Sequence, residues 1–166
     1  MQISLTSIGV IKTHFKTLHN MPVQPIGGRE HIGEILIKDE FVQGLKDLDG
    51  FNFIYLIYHF HNVKNHNLTP VPFNDKTNTQ RGVFSTRTPV HPNKLGLSLV
   101  ELVDVEKNIV RFRGVDILDG TPIFDIKPYI QNFDYVENPK SGWMKSSLEE
   151  VKQKASDDRF ILKPKI

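Results

Sequence analysis

The chain has 166 residues, 39% hydrophobic and 24% charged, with 11 Phe, 4 Tyr and 1 Trp, the size and apolar content of one globular domain around a single core. It contains no cysteine, which excludes disulfides, thiolate zinc sites and a cysteine nucleophile. Lys and Arg number 21 against 19 Asp and Glu, a formal charge of +2, so the strong basic excess of a non-specific nucleic-acid binder is missing while a local RNA site stays open.

Met1 to Phe15 shows no charged leader or cleavage pattern, and no segment approaches the ~20 apolar residues that span a bilayer. A soluble, cytoplasmic protein without membrane association is expected. Ile3 to Ile11 reads as a first strand. The connector after it, Met21-Pro22-Val23-Gln24-Pro25-Ile26-Gly27-Gly28, is fixed by its prolines, and its glycines allow a turn or a close approach to a ligand. Gly33 to Ile37 reads as a second strand, and Asp39 as the cap of a short helix carrying Phe41, Val42, Leu45 and Leu48, stopped at Asp49-Gly50.

The run from Phe51 to His61 is the strongest strand signal. Its even positions Ile54, Leu56, Tyr58 and Phe60 are apolar or aromatic and must face a core, because side chains alternate across a strand. The other face ends in His59 and His61, so the strand opens onto a site at that end. Residues 62 to 81 are polar and read as a long exposed connection, of a kind that is often functional. Gly82 to Phe84 reads as a strand. Leu97 to Val105 and Ile109 to Ile117 form a hairpin about Glu106-Lys107-Asn108, and Phe124 to Ile126 is a further short strand. Ser146 and Glu149 have capping-box spacing, with Leu148, Val151 and Ala155 on one helical face.

Many short strands and two helical segments give a mostly β protein. The glycine fingerprints GxGxxG and GxxxxGK[ST] are missing, as are HExxH and GxSxG, so no Rossmann domain, P-loop or nucleophile elbow is expected. Three constellations remain. His59 and His61, two apart on one strand, have the spacing of two metal ligands, with His66 or His91 as a third; imidazoles hydrogen-bonded at a strand end, or contacting a small molecule, fit the same pattern. Arg87, between hydroxyls and ahead of Pro89, presents a stiffly held guanidinium suited to a carboxylate or phosphate, or to a structural Asp. Asp116, Asp119 and Asp125 form a carboxylate group able to do acid/base work or bind a cation; Asp119 equally suits a turn cap.

Taken together, Pro22-Val23-Gln24-Pro25, Gly44 to Phe51, Phe60-His61, Gly82 to Ser98 and Leu118 to Tyr129 closely resemble the TsaA-like, or TrmO, family of S-adenosylmethionine-dependent tRNA methyltransferases. The resemblance runs from Ile8-Gly9 to Trp143. It implies a single β-barrel-like domain over 1–145, with 146–166 as a C-terminal helix and tail of the same domain, that binds S-adenosylmethionine as a homodimer. It further implies methyl transfer to N6 of threonylcarbamoyladenosine at position 37 of tRNA. By motif matching, cofactor contacts fall on Gln24, Pro25, Ile26, His61, Asn62, Arg87, Leu97, Asp119, Gly120 and Thr121, with His61 and Asp119 as candidate bases and no metal. The family's usual R-P-N-P-I-G stands here as His91-Pro92-Asn93-Lys94-Leu95-Gly96. A cofactor-binding sensor without tRNA activity, or a methyltransferase for another acceptor, is the alternative.

Overall fold

In a computed structural model, which describes residues 1–160, six antiparallel strands close into a barrel in the order β1-β2-β5-β4-β3-β6. They are β1 Gly9–Lys12, β2 Ile32–Ile37, β3 Phe53–His59, β4 Leu95–Glu106, β5 Ile109–Arg113 and β6 Thr121–Pro128. Closure runs between β1 and β6, where Gly9 pairs with Ile123 and Ile11 with Thr121. A closed barrel leaves no strand edge exposed to pair with another chain.

The alternation that predicts β3 is the alternation that fills the barrel. Ile54, Leu56 and Tyr58 are buried with Ile11, Ile35, Val100, Val110, Phe112 and Ile123, each such aliphatic or aromatic side chain worth roughly 1.5–3 kcal/mol of burial. Phe112 is the largest fully buried side chain, and its truncation to Ala would cost ~3–5 kcal/mol. Two-residue turn chemistry closes the β4–β5 hairpin, since Glu106 pairs with Ile109 and Lys107 takes a left-handed φ of 56°. The register of β4 on β5 shifts between Leu102 and Asp104, so Val103 is the extra residue of a bulge that turns the strand.

Several boundaries differ from the sequence reading. The first strand begins only at Gly9, and β5 stops at Arg113 because Gly114 adopts φ 99°. Gly82 to Phe84 is no strand: Val83–Ser85 form a 3₁₀ turn in which Thr86 N–H bonds Val83 O at 3.0 Å. The helix expected after Asp39 is a 3₁₀ helix, Asp39–Leu45, and a short α1, Gln131–Asp134, carries no matching signal in the sequence reading. The last helix, α2 Leu148–Gln153, is capped by Ser147 and Glu150, one residue later than predicted. Ser146 instead donates to Asn74 O at 2.9 Å, and Ala155 lies beyond the helix in a β-bridge with Pro22. The tail beyond Phe160, assigned by sequence to the same domain, lies outside the described residues.

Candidate functional site

A cavity of about 960 Å³ lies against the barrel along β4, near the top of the ~300–1,000 Å³ range of small-molecule sites. It is lined there by Leu95 to Leu97 and Leu99 to Glu101 of β4, by Phe53 and Tyr58 of β3 and by the segment following β5. Three connections wall it: the Met21–Arg29 loop, the Phe84–His91 turn, and residues 141–160, which run across as a strap. Ser156 fixes the strap by donating to Leu18 O at 2.6 Å and accepting from Met21 N–H at 2.9 Å. Trp143 Nε1 donates to Ser85 O at 2.8 Å, which ties the strap to the turn.

The two glycines of the Pro25 loop serve packing. A Cβ on Gly28 would stand 2.1 Å from Val115 O, and one on Gly27 2.9 Å from Lys152 O. The loop is thus wedged between the barrel and α2, which holds Gln24, Pro25 and Ile26 against the cavity.

Of the ten residues predicted for cofactor contact, Gln24, Pro25, Ile26, His61, Asn62, Arg87, Leu97 and Thr121 line this one cavity; Asp119 and Gly120 stand outside its wall. Leu97 projects from the outer face of β4, half exposed, between Leu95 and Leu99. Arg87 is exposed, and its guanidinium makes no hydrogen bond or ion pair with the described residues. It stays available to an anion.

His61 and His59 do not share a face. The strand ends at His59, and His61 N–H bonds back to His59 O at 2.8 Å, a tight turn that breaks the two-residue period on which the metal-ligand spacing depends. His59 packs against Phe124 at 6.1 Å between ring centroids, and burial with the nearby Lys94 and His61 charges lowers its pKa. His61 enters the cavity, with Nδ1 3.3 Å from Thr121 Oγ1. Since the Thr121 hydroxyl donates to Leu118 O at 2.7 Å, the neutral imidazole must carry its proton on Nδ1. Nε2 then holds the lone pair. Among the described residues no group of three His, Cys, Asp or Glu is placed to hold a metal.

Asp119 caps the turn. Its carboxylate accepts from Thr13 N–H at 3.0 Å and pairs with Lys16 Nζ at 2.8 Å, while its own N–H bonds Phe15 O at 2.8 Å. The Lys16 and Thr13 hydrogen bonds hold its carboxyl below the ordinary aspartate range, which makes it a weak base. Gly120 N–H is spent on Ile11 O at 2.9 Å.

The carboxylate inside the cavity is Asp116, which stands with Ser98 and with Tyr58, a core position in the sequence reading. Ser98 Oγ donates to Asp116 Oδ1 at 2.9 Å, with Oδ2 at 3.2 Å, and lies 3.1 Å from Tyr58 Oη. One hydroxyl proton serves one acceptor at a time, so with Ser98 directed to Asp116, Tyr58 is the donor to Ser98. Asp116 retains some surface toward the cavity, yet burial raises its carboxyl to about 7 against the opposing effects of Ser98, its own backbone and Arg87. The signal in the sequence was the polar Ser98 at an inward position of β4, between Gly96 and Val100.

Sequence comparison agrees with this geometry. The tRNA-methyltransferase O N-terminal domain matches residues 10–135. A probable S-adenosyl-L-methionine-binding protein of Pyrococcus abyssi is 41% identical over 161 residues, 97% of this chain and 86% of that protein. The tRNA (adenine(37)-N6)-methyltransferase of Escherichia coli is 30% identical over 84% of this chain, which spans 63% of that enzyme's length. The crystal structure of TrmO from Pseudomonas aeruginosa superposes with a TM-score of 0.71 at 30% identity, covering 86% of this chain and 62% of that one. The barrel, the cavity and these matches together establish that the chain belongs to the tRNA-methyltransferase O family of S-adenosylmethionine-dependent methyltransferases.

Proposed function

We propose that this chain methylates tRNA, transferring the methyl group of S-adenosylmethionine to N6 of threonylcarbamoyladenosine at position 37, as a cytoplasmic homodimer. The observation that carries the reading is the conjunction, in one cavity, of apolar walls from Pro25, Ile26, Leu95, Leu97 and Leu99 with the unpaired guanidinium of Arg87. Those walls suit an adenine and a methionine chain, and the guanidinium suits a carboxylate or phosphate. When bound, the cofactor supplies an electrophilic methyl on a positively charged sulfur. The chain's part is alignment and exclusion of water, which can lower the barrier as much as acid/base chemistry does. His61 Nε2 is the base proposed to take the acceptor proton.

RNA contact is supported by Phe84, 81% exposed on the turn at the cavity mouth and set edge-on to His91 at 6.0 Å between ring centroids. Exposed aromatic rings beside cationic side chains accept unstacked bases. Dimerisation is supported by the apolar outer face of β3 and β4, where Phe53, Leu95, Leu97, Leu99 and Val103 are all more than a third exposed and the first four adjoin the cavity. No helix among the described residues is long and apolar enough to cross a membrane.

The test is to incubate the protein with methyl-labelled S-adenosylmethionine and tRNA that carries or lacks threonylcarbamoyladenosine, then to count label in the RNA. Label confined to the modified tRNA is expected. Cofactor binding without transfer to any tRNA would favour the sensor reading, to which the naming of the Pyrococcus relative as a binding protein lends weight. Sedimentation at micromolar concentration tests the dimer.

A further inference from the structure

We propose that Asp116 is the counter-charge that the cavity holds for a cationic group of the cofactor, its sulfonium or its α-ammonium. The assignment rests on the proposed binding of S-adenosylmethionine in this cavity. A carboxylate in a cavity wall is normally compensated by a nearby cation or several donors, because burying an uncompensated charge is costly. Asp116 has no such cation and only neutral donors. Its side chain accepts from the hydroxyl of Ser98 and from its own backbone N–H, and no Lys, Arg or His among the described residues lies within ion-pair distance. Arg87 acts on it only across a longer gap, as a favourable charge without a contact.

The surroundings hold that carboxylate in place. Tyr58 from β3 and Ser98 from β4 form a donor chain that ends on Asp116. Tyr58 is itself buried and its phenol is pushed up, chiefly by burial and then by the Asp116 charge, so it stays a donor. The other ionisable groups in the cavity wall are Arg29, Arg87, Arg113, His61, His91, Glu101 and Asp157. The site is a fixed acceptor of negative charge in the wall of the cavity that Pro25 and Arg87 also line.

The consequence is proton linkage. With its carboxyl near 7, Asp116 is about half protonated in the free protein at neutral pH, and an incoming cation favours the ionised form and expels that proton. From pH 6 to pH 8 this contribution strengthens binding by about tenfold, then levels off. The cofactor's own α-amino group titrates near ~7.7–8.0, so the readout is the difference between two proteins.

The experiment is calorimetric titration of the full chain with S-adenosylmethionine and with S-adenosylhomocysteine at pH 6, 7 and 8, in buffers of low and high ionisation enthalpy, comparing wild type with Asp116→Asn. Asparagine keeps the shape and an acceptor for Ser98; Ser98→Ala serves as a second variant that keeps the carboxylate but frees it from its donor. Expected are proton release by wild type near pH 7, none attributable to the site in Asp116→Asn, and a loss of S-adenosylmethionine affinity of about 10- to 100-fold at pH 8. If only S-adenosylmethionine weakens, the partner is the sulfonium; if both ligands weaken alike, it is the ammonium. Wild-type affinity and proton release in a folded Asp116→Asn overturn the proposal. Failure of wild type to bind either ligand overturns the cofactor reading itself, and the role of Asp116 with it.

Discussion

Tyr58 lies directly over Gly96, its β4 partner, with the ring filling the space a side chain would need: a Cβ on Gly96 would sit 2.2 Å from the ring. Because that space is empty, the ring can lie along β4 and its hydroxyl reach Ser98, two residues farther on, at 3.1 Å. A glycine in one strand thereby sets the direction of a hydrogen-bond chain that ends at Asp116.

Gly96→Ala should displace that ring. Overpacking of this kind costs ~1–3 kcal/mol, or roughly 2–4 °C in Tm per kcal/mol for a chain of this size, and cofactor affinity should fall with it. Gly44→Ala is the control, because nothing stands within 4 Å of its Cβ position. Thermal melts and cofactor titrations of the two variants check the relation; equal behaviour would disconnect Gly96 from the site.

Arg87→Ala should separate function from stability. The side chain is exposed and makes no hydrogen bond or ion pair with the described residues, so stability should stay within about 0.5 kcal/mol of wild type. Loss of a charged hydrogen bond to cofactor or RNA should reduce affinity by roughly 10- to 100-fold. Arg87→Lys should recover only part, since an ammonium cannot form the bidentate fork. A variant that methylates tRNA at the wild-type rate would remove Arg87 from the mechanism.

Phe84→Ala addresses the RNA alone. With the ring 81% exposed, its removal should leave folding and cofactor affinity intact while weakening tRNA binding by the ~1–3 kcal/mol typical of base–aromatic stacking. Filter binding and KM for tRNA measure this. An unchanged KM would place the acceptor base elsewhere.

Asp119→Ala should behave as a loop mutation. The Asp119 carboxylate staples the Thr13–Lys16 turn through two partners, and losing such bonds typically costs ~1–2 kcal/mol. Tm should drop while cofactor affinity holds. A selective loss of methyl transfer, with Tm unchanged, would restore Asp119 as a chemical group.

What was legible in the sequence was what local periodicity encodes. The alternation of Ile54, Leu56 and Tyr58 located β3 and its buried face, and the Glu106–Ile109 hairpin followed from its turn residues. The cavity's apolar wall was readable from the loop and strand motifs. The remainder depended on contacts far apart in the chain. Gly82 to Phe84 is β-rich in composition, yet Leu68 O takes the Val83 N–H and Pro70 O that of Arg81, and no described strand lies alongside. His59 and His61 looked paired because the strand was expected to continue; the turn at His61 ends the period. Asp116 stood among three similar carboxylates. Only the register of β4 on β5, shifted at Val103, determines which of them meets Ser98.

The same uncompensated carboxylate should be visible in the stability of the free protein. Asp116 titrates at about 7 when folded, against an ordinary value of 3.8. Between those values the folded state binds more protons than the unfolded state, so folding stability falls as pH rises through the window and is fully reduced above pH 7. Asp116→Asn, which cannot ionise, should match wild type near pH 4 and exceed it above pH 7, by on the order of 2–4 kcal/mol at most. Urea unfolding at pH 4.5, 6 and 8 gives the comparison, and saturating S-adenosylmethionine should shrink the gap at pH 8 by pairing a cation with the carboxylate of wild type alone. A variant that is less stable than wild type at pH 8 would mean that the folded protein already compensates this charge, and that Asp116 is not a counter-charge for a ligand.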